Sequence, residues 1–310
     1  MIKEGINTPY DDAFRTLLVK CPMLVIPLVN EAFREKYELW ENVSVFHNEF
    51  FVGNEHQKER IADSHIGICG KRYHTECQSS TDGTIAVRIF EYDTQIATEN
   101  ARTEEGNATF IFPYTALLYL RCSANTPEAM QMSFRVPTGY VSYDIPIVKV
   151  PQYTAEEILE KELYFLIPFH IFAYEKKLEN MNDDPERLKD LLRIYKRFTK
   201  VLQQMVEEKR LTEYERQVIR DMTVKVADSL AVKWPNVRKG VEDIMGGAIL
   251  ELEVDKILDR GKAEGRKEGR SEGIIFTLAA LVRDGLLDPA EGARRANMTP
   301  EEFERKVNDI

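Results

Sequence analysis

Apolar residues at Phe14, Leu17 and Leu18 take the i, i+3, i+4 spacing of a buried helical face. They follow Asn7-Thr8-Pro9-Tyr10-Asp11-Asp12, which reads as a helix start. Pro22 ends or kinks this helix, and a helical pattern resumes over 24–33. β-Branched and aromatic residues fill 43–52 and predict a strand, and the polar stretch 53–60 predicts an exposed loop. Residues 61–79 then alternate as two strands around a turn at Cys69-Gly70-Lys71-Arg72. Ser79-Ser80-Thr81-Asp82 supplies cap-type residues for a helix to about 98, with Ile85, Ile89 and Tyr92 laid on a sheet. Residues 110–120 predict a buried strand, and 130–136 and 140–150 alternate around the turn signal Pro137-Thr138-Gly139.

Past Pro151 the period changes. Thr154 and Glu157 fit a capping box, and the sequence reads helical to about Gly246, with breaks at Asp183-Asp184-Pro185 and Leu211-Thr212. The most apolar piece, 163–174, carries Pro168 and is expected to pack on the first part of the chain. Gly261, Gly265, Gly269 and Gly273 then recur every fourth residue, beside a basic column (Lys262, Arg266, Arg270) and an acidic one (Glu264, Glu268, Glu272). Each interior glycine costs a helix about 1 kcal/mol relative to alanine. Two readings stay open: a flexible charged linker, or a helix that pairs with a second copy of the chain, acidic column to basic. Short helices close the chain, one starting at Thr299-Pro300-Glu301-Glu302. The expected organisation is a mixed α/β domain over 1–150, a helical accessory domain over 151–248, and a charged helix with terminal short helices over 249–310.

Composition narrows the setting. The 310 residues are 43% hydrophobic and 30% charged, which suits a folded chain rather than a disordered one. No apolar run approaches the roughly 18 residues of a membrane span, and Met1-Ile2-Lys3-Glu4-Gly5 lacks the apolar core of a secretory leader. Cys21, Cys69, Cys77 and Cys122 are scattered, so a reducing, cytoplasmic setting is expected. The net charge of −10 argues against broad coating of nucleic acid, though not against a local basic groove.

The candidate chemistry lies in the two-strand segment. Residues two apart on a strand share a face, so Asp63 goes with His65, and His74 with Glu76 and Gln78. Two carboxylates, Asp63 and Glu76, converging from adjacent strands are what a Mg²⁺ ion needs to activate water at a phosphodiester; Gln78 would orient that water. The same row would also serve a half-exposed sheet facing solvent. Arg88 and Tyr92 share one helix face and would reach the site, or simply pack on the sheet. Lys71 and Arg72 at the turn would touch a DNA backbone, or be a solvated tip. A zinc site with His65 and His74 is weighed and set aside. No Gly-x-Ser-x-Gly elbow or P-loop is present. A helix-turn-helix over 290–307 is rejected as a DNA reader because Glu301 and Glu302 would repel phosphate.

Asp63, twelve intervening residues and Glu76-Cys77-Gln78 resemble the PD-(D/E)xK nuclease core, with Gln in the Lys position. Tyr10-Asp11-Asp12-Ala13-Phe14-Arg15, Tyr73-His74-Thr75-Glu76-Cys77-Gln78-Ser79, Arg88-Ile89-Phe90-Glu91-Tyr92 and Ser142-Tyr143-Asp144-Ile145-Pro146, with the Gly-spaced tail, extend the likeness. Over roughly 7–273 the chain resembles the bacterial recombination-promoting nuclease/putative transposase family. The resemblance implies a restriction-endonuclease-like α/β fold, a mixed sheet flanked by helices, with a helical C-terminal half. It also implies a DNA endonuclease that uses Mg²⁺, with Mn²⁺ as a substitute, linked to recombination or mobile elements. Asp63 and Glu76 match the metal ligands, Gln78 the Lys position, and Asp11 or Asp12 an acid on the first helix, although Asp11 is equally a helix cap. The alternative is a DNA-binding or assembly protein that keeps the fold without catalysis, motivated by Gln78, which carries no positive charge.

Overall fold

The computed structural model describes residues 8–46, 49–52, 58–61, 64–79, 83–104 and 106–246, together with 282, 287–295, 298, 299 and 303. Residues 1–247 form one compact unit and 248–310 a second. In the first, helix α1 (Pro9–Lys20) starts from a capping box in which Thr8 and Asp11 serve each other's backbone N–H. Pro22 starts a 3-10 turn (Pro22–Leu24), and α2 (Val25–Phe33) follows it. Strand β1 (Val43–Val45) is separated from β2 (Glu49–Val52), and β2 pairs with β3 (Lys58–Ile61) as an antiparallel ribbon. The stretch expected as one strand and a loop is therefore one short strand followed by a two-stranded hairpin.

β4 (Ser64–Ile68) and β5 (Lys71–Gln78) form the expected hairpin, closed by Cys69 and Gly70. Both turn residues have positive φ, 47° and 79°, the conformation that matches the twist of the flanking strands. Helix α3 (Ile85–Glu99) crosses from β5 and is followed by the small hairpin β6 (Arg102–Glu104) and β7 (Asn107–Thr109). β8 (Tyr114–Tyr119) begins only after Pro113, so the apolar residues Phe110, Ile111 and Phe112 stay exposed. β9 (Ala129–Val136) and β10 (Gly139–Lys149) complete the main sheet. Its order is β1-β4-β5-β8-β10-β9. The pairs β5–β8 and β8–β10 are parallel and the outer pairs antiparallel.

The sheet is covered on both faces. Ile66, Ile68, Tyr73, Cys77, Leu118, Leu120, Val148 and Val150 join a core shared with α1, α2 and the C-terminal helices. On the other face Leu117, Met132, Ile145 and Ile147 pack under Ile85 and Ile89 of α3. Thus α3 caps one face while the rest of the unit covers the other, a mixed α/β layer arrangement.

The second half is helical, as its period predicts. α4 (Ala155–Glu160) opens on the Thr154–Glu157 capping box. A long 3-10 segment, Tyr164–Lys177, contains Pro168 and is buried from Tyr164 to Phe172. It leads to α5 (Leu178–Asp183), α6 (Pro185–Glu207), α7 (Glu213–Leu230) and α8 (Pro235–Met245). Phe165 meets Phe14 and Phe172 meets Tyr10, each edge to face at 5.1 and 5.0 Å, and Lys225 of α7 pairs with Asp12 of α1. The packing runs without a break across residue 150. In the second unit α9 (Pro289–Arg295) buries Ala293 against Phe303. The Gly261–Gly273 stretch and most of 296–310 lie outside the described residues. Among the described residues no single helix is long and apolar enough to cross a membrane.

Candidate functional site

The row His74, Glu76, Gln78 lies on the α3 face of β5. Parallel pairing sets Thr115, Leu117 and Tyr119 of β8 beside these three in turn. Glu76 is 2% exposed and His74 and Asp93 are fully buried, so each charge must find a partner inside the protein. α3 provides two of the partners. Its buried face runs Ile85, Ile89, Tyr92, Asp93, Ile96, so an acid falls on the stripe that touches the sheet.

The outcome is one connected chain of hydrogen bonds. Thr115 Oγ1 donates to Asp93 Oδ2 at 2.8 Å, and Asp93 Oδ1 meets His74 Nδ1 at 2.7 Å. The other ring nitrogen of His74, Nε2, meets Glu76 Oε1 at 3.2 Å. Arg88 Nη2 donates to Glu76 Oε2 at 2.8 Å. Burial works against a charge on His74, but the carboxylates of Asp93 and Glu76 outweigh it and lift its pKa to about 9. Both ring nitrogens then donate, each to a carboxylate. Tyr92 sets its ring edge-on to His74 at 5.8 Å, which fixes the imidazole plane from the helix side.

Gln78 is also buried, and its amide Nε2 donates to the backbone oxygen of Cys77 at 3.1 Å. Arg121, at the end of β8, donates to the backbone oxygen of Ser79 and grips Glu175 with two nitrogens. Its guanidinium lies over the rings of Phe172 and Tyr10 at 4.9 and 5.9 Å. The residue after β5 is thereby tied to the first turn of α1. Asp11, in that turn, spends its carboxylate on the Thr8 N–H at 2.9 Å and makes no hydrogen bond to Glu76, Gln78 or Arg88.

Lys71 and Arg72 stand at the other end of β5. At about 3.3 Å per residue, Lys71 is roughly 17 Å along the strand from Glu76. Lys71 pairs with Glu35 at 2.6 Å, and Arg72 stacks on the Phe46 ring at 3.5 Å. His65, opposite His74 in the β4–β5 register, stacks on Phe46 at 4.6 Å. Neither of its ring nitrogens has a hydrogen-bond partner among the described residues, and burial, with Arg72 and His74 nearby, lowers it to about 4.

The structure thus brings Glu76 and Arg88 together, with Gln78 two residues on along the same strand face, sets Tyr92 against His74, and leaves Lys71 and Arg72 at the far end. Asp63 lies outside the described residues. Asp93 and Thr115 were not singled out from sequence. Asp93 had a signal, an acid at the i+8 position of a stripe otherwise made of Ile and Tyr; Thr115 had none, because only strand pairing places it.

Among the described residues no group of three or more His, Cys, Asp or Glu side chains is arranged to hold a metal ion. Mg²⁺ asks for less, one or two carboxylates with waters completing the shell. Glu76 already accepts from His74 Nε2 and Arg88 Nη2, so an ion there would have to share its carboxylate with these two donors. Comparison of the chain with family models, characterised proteins and solved structures finds no match.

Proposed function

We propose that the chain is a DNA endonuclease that hydrolyses phosphodiester bonds with Mg²⁺, or Mn²⁺ in its place, on a restriction-endonuclease-like fold. The observation that carries this reading is Glu76, a carboxylate buried on a sheet strand and held by two cationic donors, where the sequence pattern places a metal ligand. The second expected ligand, Asp63, immediately precedes Ser64, whose partner Thr75 immediately precedes Glu76. The spacing of Asp63 and Glu76 in the sequence, with Glu76 buried on β5, supports the resemblance to the recombination-promoting nuclease/putative transposase family.

When bound, the divalent ion supplies a lowered pKa for water and neutralises charge on the phosphoryl oxygens. Glu76 and Asp63 would hold it. Gln78, two residues along the face, would orient the attacking water through its amide oxygen. Arg88, partly exposed beside Glu76, is within reach of a substrate phosphate. Tyr92 acts by fixing the His74 ring rather than by touching substrate. Asp11 remains an auxiliary acid of the first helix turn, and Lys71 and Arg72 would contact only DNA that extends well past the cut.

The second reading is a DNA-binding or assembly protein without catalysis. It is favoured by the Gln78 amide, which is turned onto its neighbour's backbone, and by the net charge of −10. One experiment separates the two: incubate the purified full chain with supercoiled plasmid and Mg²⁺ or Mn²⁺. Nicking by the wild type that disappears in Glu76→Gln and Asp63→Asn is expected. Equal nicking by all three would expose a contaminant, and salt-dependent DNA binding with no cleavage would establish the second reading. A cytoplasmic setting and self-association through the Gly261–Gly273 helix belong to the same proposal and rest on sequence.

A further inference from the structure

The hairpin of β9 and β10 runs past its pairing with the rest of the sheet. β8 pairs with β10 only over residues 147–149, whereas β9 follows β10 from Pro146 to Gly139. β9 is the last strand of the sheet, and among the described residues no strand pairs with its outer edge. Ile147 N–H donates to the Glu128 backbone oxygen at 2.9 Å, so the even-numbered residues of β9 are the ones bonded to β10. The N–H and C=O groups of Gln131, Ser133 and Arg135 therefore point outward, away from β10. Edges of this kind are blunted in most proteins by lysine, proline or a bulge, yet the eight residues of β9 carry a single charge, Arg135. The two faces of the strand differ. Met130, Met132, Phe134 and Val136 make an apolar row on the α3 side, where the Phe134 ring lies 5.2 Å from Phe90 and 6.2 Å from Phe112. On the opposite face Gln131, Ser133 and Arg135 are exposed, and Asp144 of β10 stands directly beside Gln131.

We infer that the outer edge of β9 pairs antiparallel with the same edge of a second copy of the chain, about a two-fold axis at Ser133. A two-fold contact sets a surface against itself, and β9 is self-complementary in this register. Ser133 meets its own counterpart. Met132 meets Phe134 of the second copy and Met130 meets Val136, so the apolar row continues across the axis. Arg135 meets Gln131, and one strand beyond Gln131, on the same face, is Asp144. With strands about 4.8 Å apart, the guanidinium of one copy reaches the carboxylate of the other, once on each side of the axis. Within its own chain neither Arg135 nor Asp144 has an ion-pair partner among the described residues. Sliding the strands until Arg135 met its own counterpart would set like charges face to face, which disfavours that register. DNA fits this edge poorly. Residues 129–144 hold one arginine and one aspartate, whereas a phosphate-binding arm relies on an excess of cations. The contact is separate from the Gly261–Gly273 helix and does not depend on the nuclease reading.

The test is cross-linking of the full chain. Residues opposite each other in a hydrogen-bonded antiparallel pair have Cα atoms about 5.5 Å apart, a separation that a disulfide spans. Ser133→Cys treated with copper–phenanthroline should therefore run as a covalent dimer on a non-reducing gel. The wild type, with its four cysteines, should not. Nor should Gln131→Cys, whose two copies stand about 13 Å apart along the strands in this register. In light scattering across a dilution series, Arg135→Asp should weaken association about tenfold, one pair being lost on each side of the axis, and adding Asp144→Arg should restore it. Both positions are exposed, so the fold tolerates the exchange. Cross-linking that is absent from Ser133→Cys, or equal in Gln131→Cys, overturns the inference, as does association that Arg135→Asp leaves unchanged. A wild-type particle of one chain also overturns it and leaves this edge to a strand of another protein.

Discussion

Three buried histidines show how strongly a residue's chemistry depends on its neighbours. His74, between two carboxylates, is raised, while His65 and His170, with no hydrogen-bond partner at either nitrogen among the described residues, are lowered to about 4. His170 lies in the helical core against Tyr174 and Phe198, far in sequence from the site. Burial is the main cause of its depression, with Glu156 opposing it weakly. Its folded pKa is below the unfolded value near 6.5, so between these values the unfolded chain binds a proton that the folded chain does not. Its neutral state therefore supports the fold above pH 6.5, and that support is lost as pH falls toward 4, by up to about 3 kcal/mol. Urea melts at pH 7 and pH 5 should show this loss, and His170→Phe should flatten the slope. An equal pH dependence in the variant would mean that another group is responsible.

Single elements show what a pattern of residues can and cannot reveal. α6 begins where Asp184 and Pro185 predict, and the Asp184 carboxylate accepts from the N–H groups of Glu186 and Arg187 at 3.0 and 3.4 Å. Asp184→Ala should cost about 1 kcal/mol, read from a shift of the denaturation midpoint; no shift would mean that water replaces the cap. The capping boxes at Thr154 and the β9–β10 turn were equally legible, because the signal and the structure lie within a few residues. The β2–β3 hairpin was not, because Lys58, Glu59 and Arg60 are charged and read as loop, and their strand state depends on pairing with residues six to twelve positions away. In the candidate site, the face shared by His74, Glu76 and Gln78 followed from the strand period. The bonds to Asp93 and Thr115 did not, since they depend on which helix and strand the sheet brings alongside.

At the scale of the molecule, the sequence reads as an α/β part followed by a helical part, yet the two share one core. The sheet face carrying Leu118 and Val148 is covered by apolar residues from both sides of residue 150. A chain ending at 150 would leave much of that face in water, at about 25 cal/mol per Å² of apolar surface. It should show no cooperative melt by circular dichroism, while a chain ending at 247, the boundary of the compact unit, should melt cooperatively. Light scattering of the 1–247 chain also tests self-association: an unchanged number of chains per particle would exclude the Gly261–Gly273 helix as the contact.

Asp93, His74, Glu76 and Arg88 alternate in formal charge along one line of hydrogen bonds. Changing the sign of any one of them leaves an uncompensated charge, whereas changing two neighbours together can restore the balance. Tolerance at these four positions is therefore a property of pairs. A combinatorial library selected only for folded chain should recover His74 and Asp93 changed jointly more often than their separate frequencies predict. The heritable unit at this site is the pair, not the residue.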